Sequence, residues 1–317
     1  MSGLTWLDEW SASAVMQVLA TSITGLADGD IVLRGGVDET NPEWSAGSAV
    51  VDGRYLAKFA LSEPTASRLW HEARVLGALS GSGLRIPEMV AACDRPVHLV
   101  TRMAAGGPLS YELVSAATAA QVRQIGEHLG GFLAALHQPA VLSRVESALG
   151  AVDVPDPGPQ ATTGELRDRL GPWVRAIQRG LVRSWCDWAD QVLAADEPGV
   201  FVHGDLHGHN QLWDQRRRQL RAVVDWETSG VAEPEYDLRY VPALGPGTGL
   251  LIATADAYRD RASRPVRLDR VMAWHVRTAL GDALWRSEAG IPLPGGGTPA
   301  GYVDELAGRF DDLKLGP

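Results

Sequence analysis

Directly after the apolar run Val200–Val202, the chain reads His203-Gly204-Asp205-Leu206-His207-Gly208-His209-Asn210. A second apolar run ends at Asp225, 15 positions after Asn210. A carboxylate such as Asp205 can orient a hydroxyl group and accept its proton. The carbonyl oxygen of Asn210 and the carboxylate of Asp225 are ligands that suit a hard cation such as Mg²⁺. The pattern therefore predicts a phosphoryl-transfer site that follows two short buried strands.

Two residues near the start of the chain complete this pattern. Kinases place an Asp, four intervening residues and a metal-binding Asn in the catalytic loop, and a second metal-binding Asp farther on. They also need a strand lysine on the α and β phosphates, held by a glutamate on the next helix. Lys58 lies in the predicted strand Arg54–Ala60, and Glu72 lies in the helix predicted from Pro64 to Ser80. Lysine is scarce here, with 27 Arg and only Lys58 and Lys314, which strengthens the assignment of Lys58.

In order, spacing and context, these residues resemble the aminoglycoside phosphotransferase and choline kinase-like family, relatives of the protein kinases. The likeness rests on His-Gly-Asp-Leu-His-x-x-Asn at His203–Asn210 and on Asp225-Trp226 after an apolar strand. It covers roughly residues 31–240, and Leu136-His137 also looks like a landmark of that family. Departures are Ala232-Glu233-Pro234, where the family often has Gly-Asp-Pro, and the lack of a Gly-x-Gly-x-x-Gly motif.

The resemblance implies an α+β, protein kinase-like fold with two lobes. We predict a nucleotide-binding lobe at 1–103 with an antiparallel sheet and one helix, a hinge at 104–107, and a mainly helical catalytic and acceptor-binding lobe at 108–317. Asp52-Gly53 is predicted to form a hairpin turn, and a loop covering the phosphates is placed between Gly36 and Ser48. Three tryptophans of the second lobe are predicted to lie in its core: Trp173, Trp185 and Trp188.

The same resemblance implies the cofactors and the role of each site residue. Mg²⁺ is expected at Asn210 and Asp225, with ATP or GTP as the phosphoryl donor. Lys58, fixed by Glu72, is expected to hold the α and β phosphates. Asp205 is the expected catalytic residue. Met103 and Ala104, at the end of the first lobe, are predicted to complete the nucleotide site.

The acceptor is expected to be a small hydroxylated molecule, an aminoglycoside or another cationic antibiotic. The net charge of −10, from 29 Lys+Arg and 39 Asp+Glu, agrees with a cationic ligand. Glu227, Glu233 and Glu235 follow the metal motif and are predicted to line the acceptor site, although a solvated loop explains them equally well. A weaker form of this prediction applies to four acidic residues of the last helices: Asp282, Glu288, Asp304 and Glu305.

Other acceptors stay open at this stage: a macrolide, a sugar, an amino alcohol or a Ser or Thr of a modified peptide. Antibiotic resistance and biosynthesis are equally compatible with the motifs. The acidic balance argues against nucleic acid as a partner. Two cysteines cannot form a disulfide framework, and no apolar run approaches about 18 residues, so we expect a cytoplasmic protein without a membrane segment.

A metal-dependent hydrolase is the alternative from another enzyme class. His203, Asp205, His207 and His209 have the closely spaced side chains that can hold Zn²⁺. That reading leaves Lys58, Glu72 and Asn210 without a role. Within the phosphotransferase interpretation, we predict that His203 is a structural hydrogen-bonding residue of the catalytic loop rather than an acid or base.

Overall fold

The structure is a computed structural model that describes residues 3–23, 30–37, 45–153, 161–262, 264–293 and 297–316. An antiparallel sheet with flanking helices forms the first part of the chain, and a mainly helical region with two small sheets forms the rest. This is the predicted α+β arrangement of a protein kinase-like fold.

The first lobe is built on five strands in the order β1-β2-β3-β5-β4, all paired antiparallel. The hairpin between β2 and β3 turns through Asp52 (φ 53°) and Gly53 (φ 61°), the left-handed conformations that this dipeptide favours. The phosphate loop predicted between Gly36 and Ser48 falls partly on residues 38–44, outside the described residues. The strands are β1 (Ile31–Gly36), β2 (Ala46–Val51), β3 (Tyr55–Ala60), β4 (Met89–Asp94) and β5 (Val97–Arg102).

Two helices accompany this sheet, where the sequence predicted one. Helix α2 (Glu63–Leu79) is the expected one, and it begins at a capping box of Ser62 and Thr65. Helix α1 (Ala12–Ser22) was missed, because only Val15 and Leu19 of its apolar residues are fully covered, which gives a weak periodic signal. The α1 residues pack with Phe59 and Val100 in a small core of their own on the sheet.

The segments predicted to form the site lie next to two short sheets in the second lobe. One pairs β7 with β10, and the other has the order β6-β8-β9. The strand bounds are β6 (Gly107–Pro108), β7 (Val200–Val202), β8 (Gln211–Asp214), β9 (Gln219–Val223) and β10 (Gly230–Ala232). The helices are α3 (Tyr111–Ser115), α4 (Ala119–Leu136), α5 (Pro139–Leu149), α6 (Thr163–Arg169), α7 (Gln178–Leu193), α8 (Pro234–Leu238), α9 (Gly249–Arg259), α10 (Leu268–Ala289) and α11 (Pro299–Leu313).

A single large core connects α2 of the first lobe with the helices of the second. Trp185 is buried in it and Trp188 packs edge-on against Phe310, as predicted. The prediction for Trp173 was wrong: it is 43% exposed, because it lies in the turn between α6 and α7 rather than on a helix face. No helix in the described part of the chain is long and apolar enough to span a membrane.

Candidate active site

A buried carboxylate, Asp237, fixes the loop that carries Asp205. Asp237 accepts the backbone N–H groups of His203 and Gly204, each at 2.9 Å, and His137 lies 3.1 Å from its Oδ2. Although burial raises the pKa of Asp237, the contact with His137 outweighs it and keeps the pKa low. Gly204 has a φ of 86°, a conformation that glycine adopts without strain. The conformation of the loop before Asp205 is therefore set by hydrogen bonds between its backbone N–H groups and the Asp237 side chain.

His203 also holds this loop, in agreement with its predicted structural role. Its Nδ1 accepts the N–H of Asp205 at 3.2 Å, which leaves the proton on Nε2. Nε2 then donates to the carbonyl of Val224 at 2.9 Å. Since burial lowers its pKa, the ring stays neutral. His203 thus joins the residue before Asp225 to the N–H of Asp205.

The Asp205 carboxylate has a different partner for each oxygen. The Tyr240 hydroxyl donates to Oδ1 at 2.7 Å, and His207 Nε2 lies 3.3 Å from Oδ2. Asn210 Nδ2 donates to the Asp205 carbonyl at 2.9 Å and contacts Oδ2 at 3.3 Å. Burial raises the pKa of Asp205, but the hydrogen bonds from His207 and Tyr240 outweigh it and lower the pKa to about 2. The side chain is therefore an ionised acceptor, and 32% of it is exposed.

Lys58 joins the two lobes at the centre of the site. Its Nζ lies 2.8 Å from Glu72 and 2.9 Å from Asp225, although Asp225 is 167 positions away in sequence. Burial lowers the pKa of this ammonium, but Glu72 and Asp225 together raise it well above its usual value. Glu72 also accepts the N–H of Trp226 at 3.3 Å. The predicted lysine, glutamate and aspartate are thus in direct contact.

Asp225 and Asn210 offer free oxygen atoms of the kind that Mg²⁺ binds. Asn210 uses Nδ2 toward Asp205 and Asp225 uses Oδ1 toward Lys58, and no described residue forms a hydrogen bond with Asn210 Oδ1 or Asp225 Oδ2. The Val224 N–H donates to the Asn210 carbonyl at 2.9 Å, so the two ligand segments are adjacent. Asp225 has a φ of 70°, which is strained for a residue with a side chain and is typical of functional sites. This donor set fits a hard cation.

The two hinge residues have different backbone environments. The Met103 N–H already donates to the Arg54 carbonyl at 2.8 Å, and the Met103 side chain is 43% exposed. Among the described residues, none bonds to the Ala104 N–H. The backbone N–H of Ala104 is therefore free to bind a ligand, whereas that of Met103 is already engaged.

The three predicted acceptor residues do not share one environment. Glu227 lies 3.8 Å from Arg68, and burial together with the nearby Asp225 raises its pKa to about 7. Glu233 is buried against the Arg270 guanidinium and the Trp274 indole N–H. Glu235 is buried against Arg264 at 3.0 Å. The charges of Glu233 and Glu235 are met inside the chain, which favours a structural role for both.

The four acidic residues of the last helices are also paired. Asp282 contacts Arg286 at 2.9 Å and Glu305 contacts Arg309 at 3.2 Å, each one helical turn apart. Glu288 pairs with Arg169, and Asp304 pairs with Arg175. The acidic rim predicted for a cationic acceptor is thus largely neutralised by arginines.

Sequence reasoning missed Tyr240, which contacts Asp205 directly, and Arg239, which contacts the Gly204 carbonyl and the Tyr240 hydroxyl. Neither belongs to the kinase pattern, and no spacing rule connects Tyr240 to a residue 35 positions upstream. The alternative metal-dependent hydrolase gains nothing from the geometry. In the part of the chain that the structure describes, no three His, Cys, Asp or Glu side chains are grouped to hold a metal ion.

Most of this chain matches a family of known proteins. Residues 37–279 match the model of APH, the phosphotransferase enzyme family. A viomycin phosphotransferase from Streptomyces vinaceus is 28% identical over 214 residues, which cover 61% of this chain and 69% of that protein.

Solved structures match along most of the chain. The GDP complex of aminoglycoside 2'-phosphotransferase-IIIa has a TM-score of 0.62 at 18% identity, with 94% of this chain and 98% of that chain covered. A macrolide 2'-phosphotransferase from Brachybacterium faecium has a TM-score of 0.56 at 20% identity, with 96% and 99% covered. At these identities the structures show that the fold is shared.

Proposed function

Because this chain belongs to the APH phosphotransferase enzyme family, we propose that it transfers the γ-phosphoryl group of ATP or GTP to a hydroxyl group of a cationic antibiotic. Viomycin is the first acceptor to test, since the relative from Streptomyces vinaceus is a viomycin phosphotransferase. Aminoglycosides come next, because an aminoglycoside phosphotransferase has the same fold.

The contact of Lys58 with both Glu72 and Asp225 carries this proposal. It brings a strand lysine, a helix glutamate and an aspartate of the catalytic lobe to one point, at 2.8 and 2.9 Å. Kinase-type transfer needs these three side chains together, because the lysine binds the phosphates next to the aspartate that would hold the metal. A hydrolytic zinc site would need neither the lysine nor the glutamate.

Each protein group has a defined task in the proposed reaction. Lys58 binds the α and β phosphates, and Glu72 keeps its ammonium group in place. Asn210 and Asp225 would hold Mg²⁺, which neutralises phosphate charge when bound. Asp205 orients the acceptor hydroxyl and takes its proton. The acceptor oxygen bonds to the γ-phosphorus as the bond to the β–γ bridging oxygen breaks, and the nucleoside diphosphate leaves. Positioning and charge neutralisation provide most of the rate.

The proposal is tested by following ATP and GTP consumption with Mg²⁺ across viomycin, aminoglycosides, macrolides, sugars and amino alcohols, with mass spectrometry for an added phosphate. Asp205→Asn keeps the size of the side chain and removes its charge, so transfer should fall by about 10³-fold or more while nucleotide still binds.

The matched control is Asp260→Asn, an exposed aspartate at the end of α9 that should leave turnover unchanged. Near-normal transfer by Asp205→Asn would remove Asp205 from the mechanism. Absence of any nucleotide binding by the wild-type protein would defeat the proposal as a whole.

A further inference from the structure

Tyr240 makes the shortest contact to the Asp205 carboxylate. Its hydroxyl donates to Oδ1 at 2.7 Å, whereas His207 and Asn210 reach Oδ2 only at 3.3 Å. A hydrogen bond to a carboxylate at 2.7 Å is a strong one, and contacts at 3.3 Å are long for such pairs. One carboxylate oxygen is therefore engaged inside the protein, and the other is more readily available to a ligand.

Arg239 fixes the direction of the Tyr240 hydroxyl. Its Nη2 donates to the tyrosine oxygen at 3.2 Å and to the Gly204 carbonyl at 2.6 Å. Because the oxygen of Tyr240 accepts from Arg239, its own hydrogen is directed toward Asp205. The same guanidinium therefore holds the peptide before Asp205 and the hydroxyl that contacts its side chain.

The environment of Arg239 is unusual for a buried charge. Arg239 is 1% exposed, and its guanidinium packs on the rings of Tyr236 and Tyr240, at 3.8 and 4.4 Å from their centroids. No carboxylate within the described ranges forms an ion pair with it. Burying an unpaired guanidinium is costly, so a residue kept in this state is expected to have a specific task. Its connection to Asp205 runs through the Tyr240 hydroxyl.

We propose that Arg239 and Tyr240 are positioning residues for phosphoryl transfer, which hold Asp205 so that Oδ1 is bonded to Tyr240 and Oδ2 receives the proton of the acceptor hydroxyl. This inference rests on the proposed function. During transfer, the acceptor oxygen bonds to the γ-phosphorus, its proton passes to Oδ2, and the β–γ bridging oxygen leaves with the nucleoside diphosphate. Tyr240 keeps its own proton throughout.

The chain offers a matched control for this contact. The Tyr236 ring also packs on the Arg239 guanidinium, but its hydroxyl is buried without a hydrogen-bond partner among the described residues. Tyr240→Phe and Tyr236→Phe each remove one hydroxyl and keep the ring on the guanidinium. Only the first removes a contact to Asp205.

The experiment measures kcat and both KM values for wild type, Tyr240→Phe and Tyr236→Phe with Mg-ATP or Mg-GTP, using viomycin and, in parallel, kanamycin as acceptors. Urea unfolding checks that both variants are folded. We expect Tyr240→Phe to lower kcat by about 10- to 100-fold, the usual effect of one hydrogen bond to a charged group, with both KM values changed by less than about threefold. Tyr236→Phe should keep kcat within about twofold.

Each contrary result has a distinct meaning. If the wild type transfers phosphate and Tyr240→Phe keeps its kcat, the positioning role alone is wrong. Equal losses in the two variants would assign the effect to packing on Arg239, and a loss confined to KM would make Tyr240 a binding residue. Either result overturns the inference. If the wild type transfers phosphate to no acceptor of the wider panel and not to water, the proposed function fails and the positioning role fails with it.

Discussion

Two groups of carboxylates lie close together in sequence and differ in what surrounds them. Asp205 and Asp225 have side chains 32% and 40% exposed. Glu233 and Glu235 have side chains only 5% and 1% exposed and are paired with Arg270 and Arg264. The first pair stands in a motif with a fixed spacing, whereas the second was assigned from acidity near the site. The carboxylates chosen by motif spacing are thus partly exposed, and those chosen by local acidity are buried in ion pairs.

The largest effect should come from Asp225. Asp225→Ala removes one of the two candidate metal ligands and a partner of Lys58, so we expect kcat/KM to fall by about 10³-fold or more. Global stability should change little, since the side chain is partly exposed. Steady-state kinetics over a Mg²⁺ titration provides the measurement. An unchanged Mg²⁺ dependence would remove Asp225 from the metal site.

Glu233→Gln should lower the stability of the protein and leave its turnover nearly unchanged, the reverse of what we expect for Asp225→Ala. Glu233→Gln leaves the buried Arg270 charge without its partner, and breaking a buried pair costs about 3 kcal/mol of unfolding free energy. The kcat of the folded variant should stay within about twofold of the wild type, because Glu233 does not contact the reacting groups in our mechanism. Urea unfolding and steady-state kinetics test the two parts separately. Normal stability together with a large rise in the KM of the acceptor would restore the original prediction that Glu233 binds the acceptor.

Much of the fold and the centre of the site could be predicted from the sequence because both depend on local patterns. Helix α2 has apolar residues at helical spacing, and its predicted ends differ from the observed ones by one residue. Lys58, Glu72, Asp205 and Asp225 were found because the chemistry requires those residue types in that order.

The residues that were missed are connected only through the folded structure. Helix α1 is covered by β3 and β5 residues that lie far away in sequence, so its own pattern is weak. Tyr240 reaches Asp205 because α8 brings it beside the catalytic loop. The partners of Glu233 and Glu235 come from the segment 264–274, which has no recognisable relation to them in sequence. Contacts of this kind require the fold itself.

The buried histidine behind the site should make the stability of the protein depend on pH. His275 is buried behind Arg239, where its Nδ1 donates to the Arg239 carbonyl at 2.8 Å. Burial lowers its pKa from 6.5 to about 3. The unfolded chain therefore takes up a proton near pH 6.5, which the folded protein does not accept until about pH 3. The stabilisation is complete above pH 6.5 and is lost as the pH falls from 6.5 toward 3.

His275→Asn keeps a donor for the Arg239 carbonyl and removes the titrating group. Between pH 7.5 and pH 5, the wild type should lose about 2 kcal/mol more unfolding free energy than the variant, at about 1.4 kcal/mol per pH unit below pH 6.5. Urea unfolding at the two pH values measures this difference, and the lower baseline stability of the variant cancels in the comparison. Equal losses for both proteins would show that His275 is protonated in the folded state.

The smallest effect should come from the surface acids of the last helices. Glu288 is 37% exposed and pairs with Arg169, which is 47% exposed, and such a pair contributes about 0 to 1 kcal/mol because solvent screens it. Glu288→Gln should therefore leave both the unfolding free energy and the KM of a cationic acceptor almost unchanged. If the KM of the acceptor instead rises by about tenfold while stability is kept, the Glu288 carboxylate leaves Arg169 to bind the acceptor. Pairing with an arginine would then not mark a carboxylate as structural.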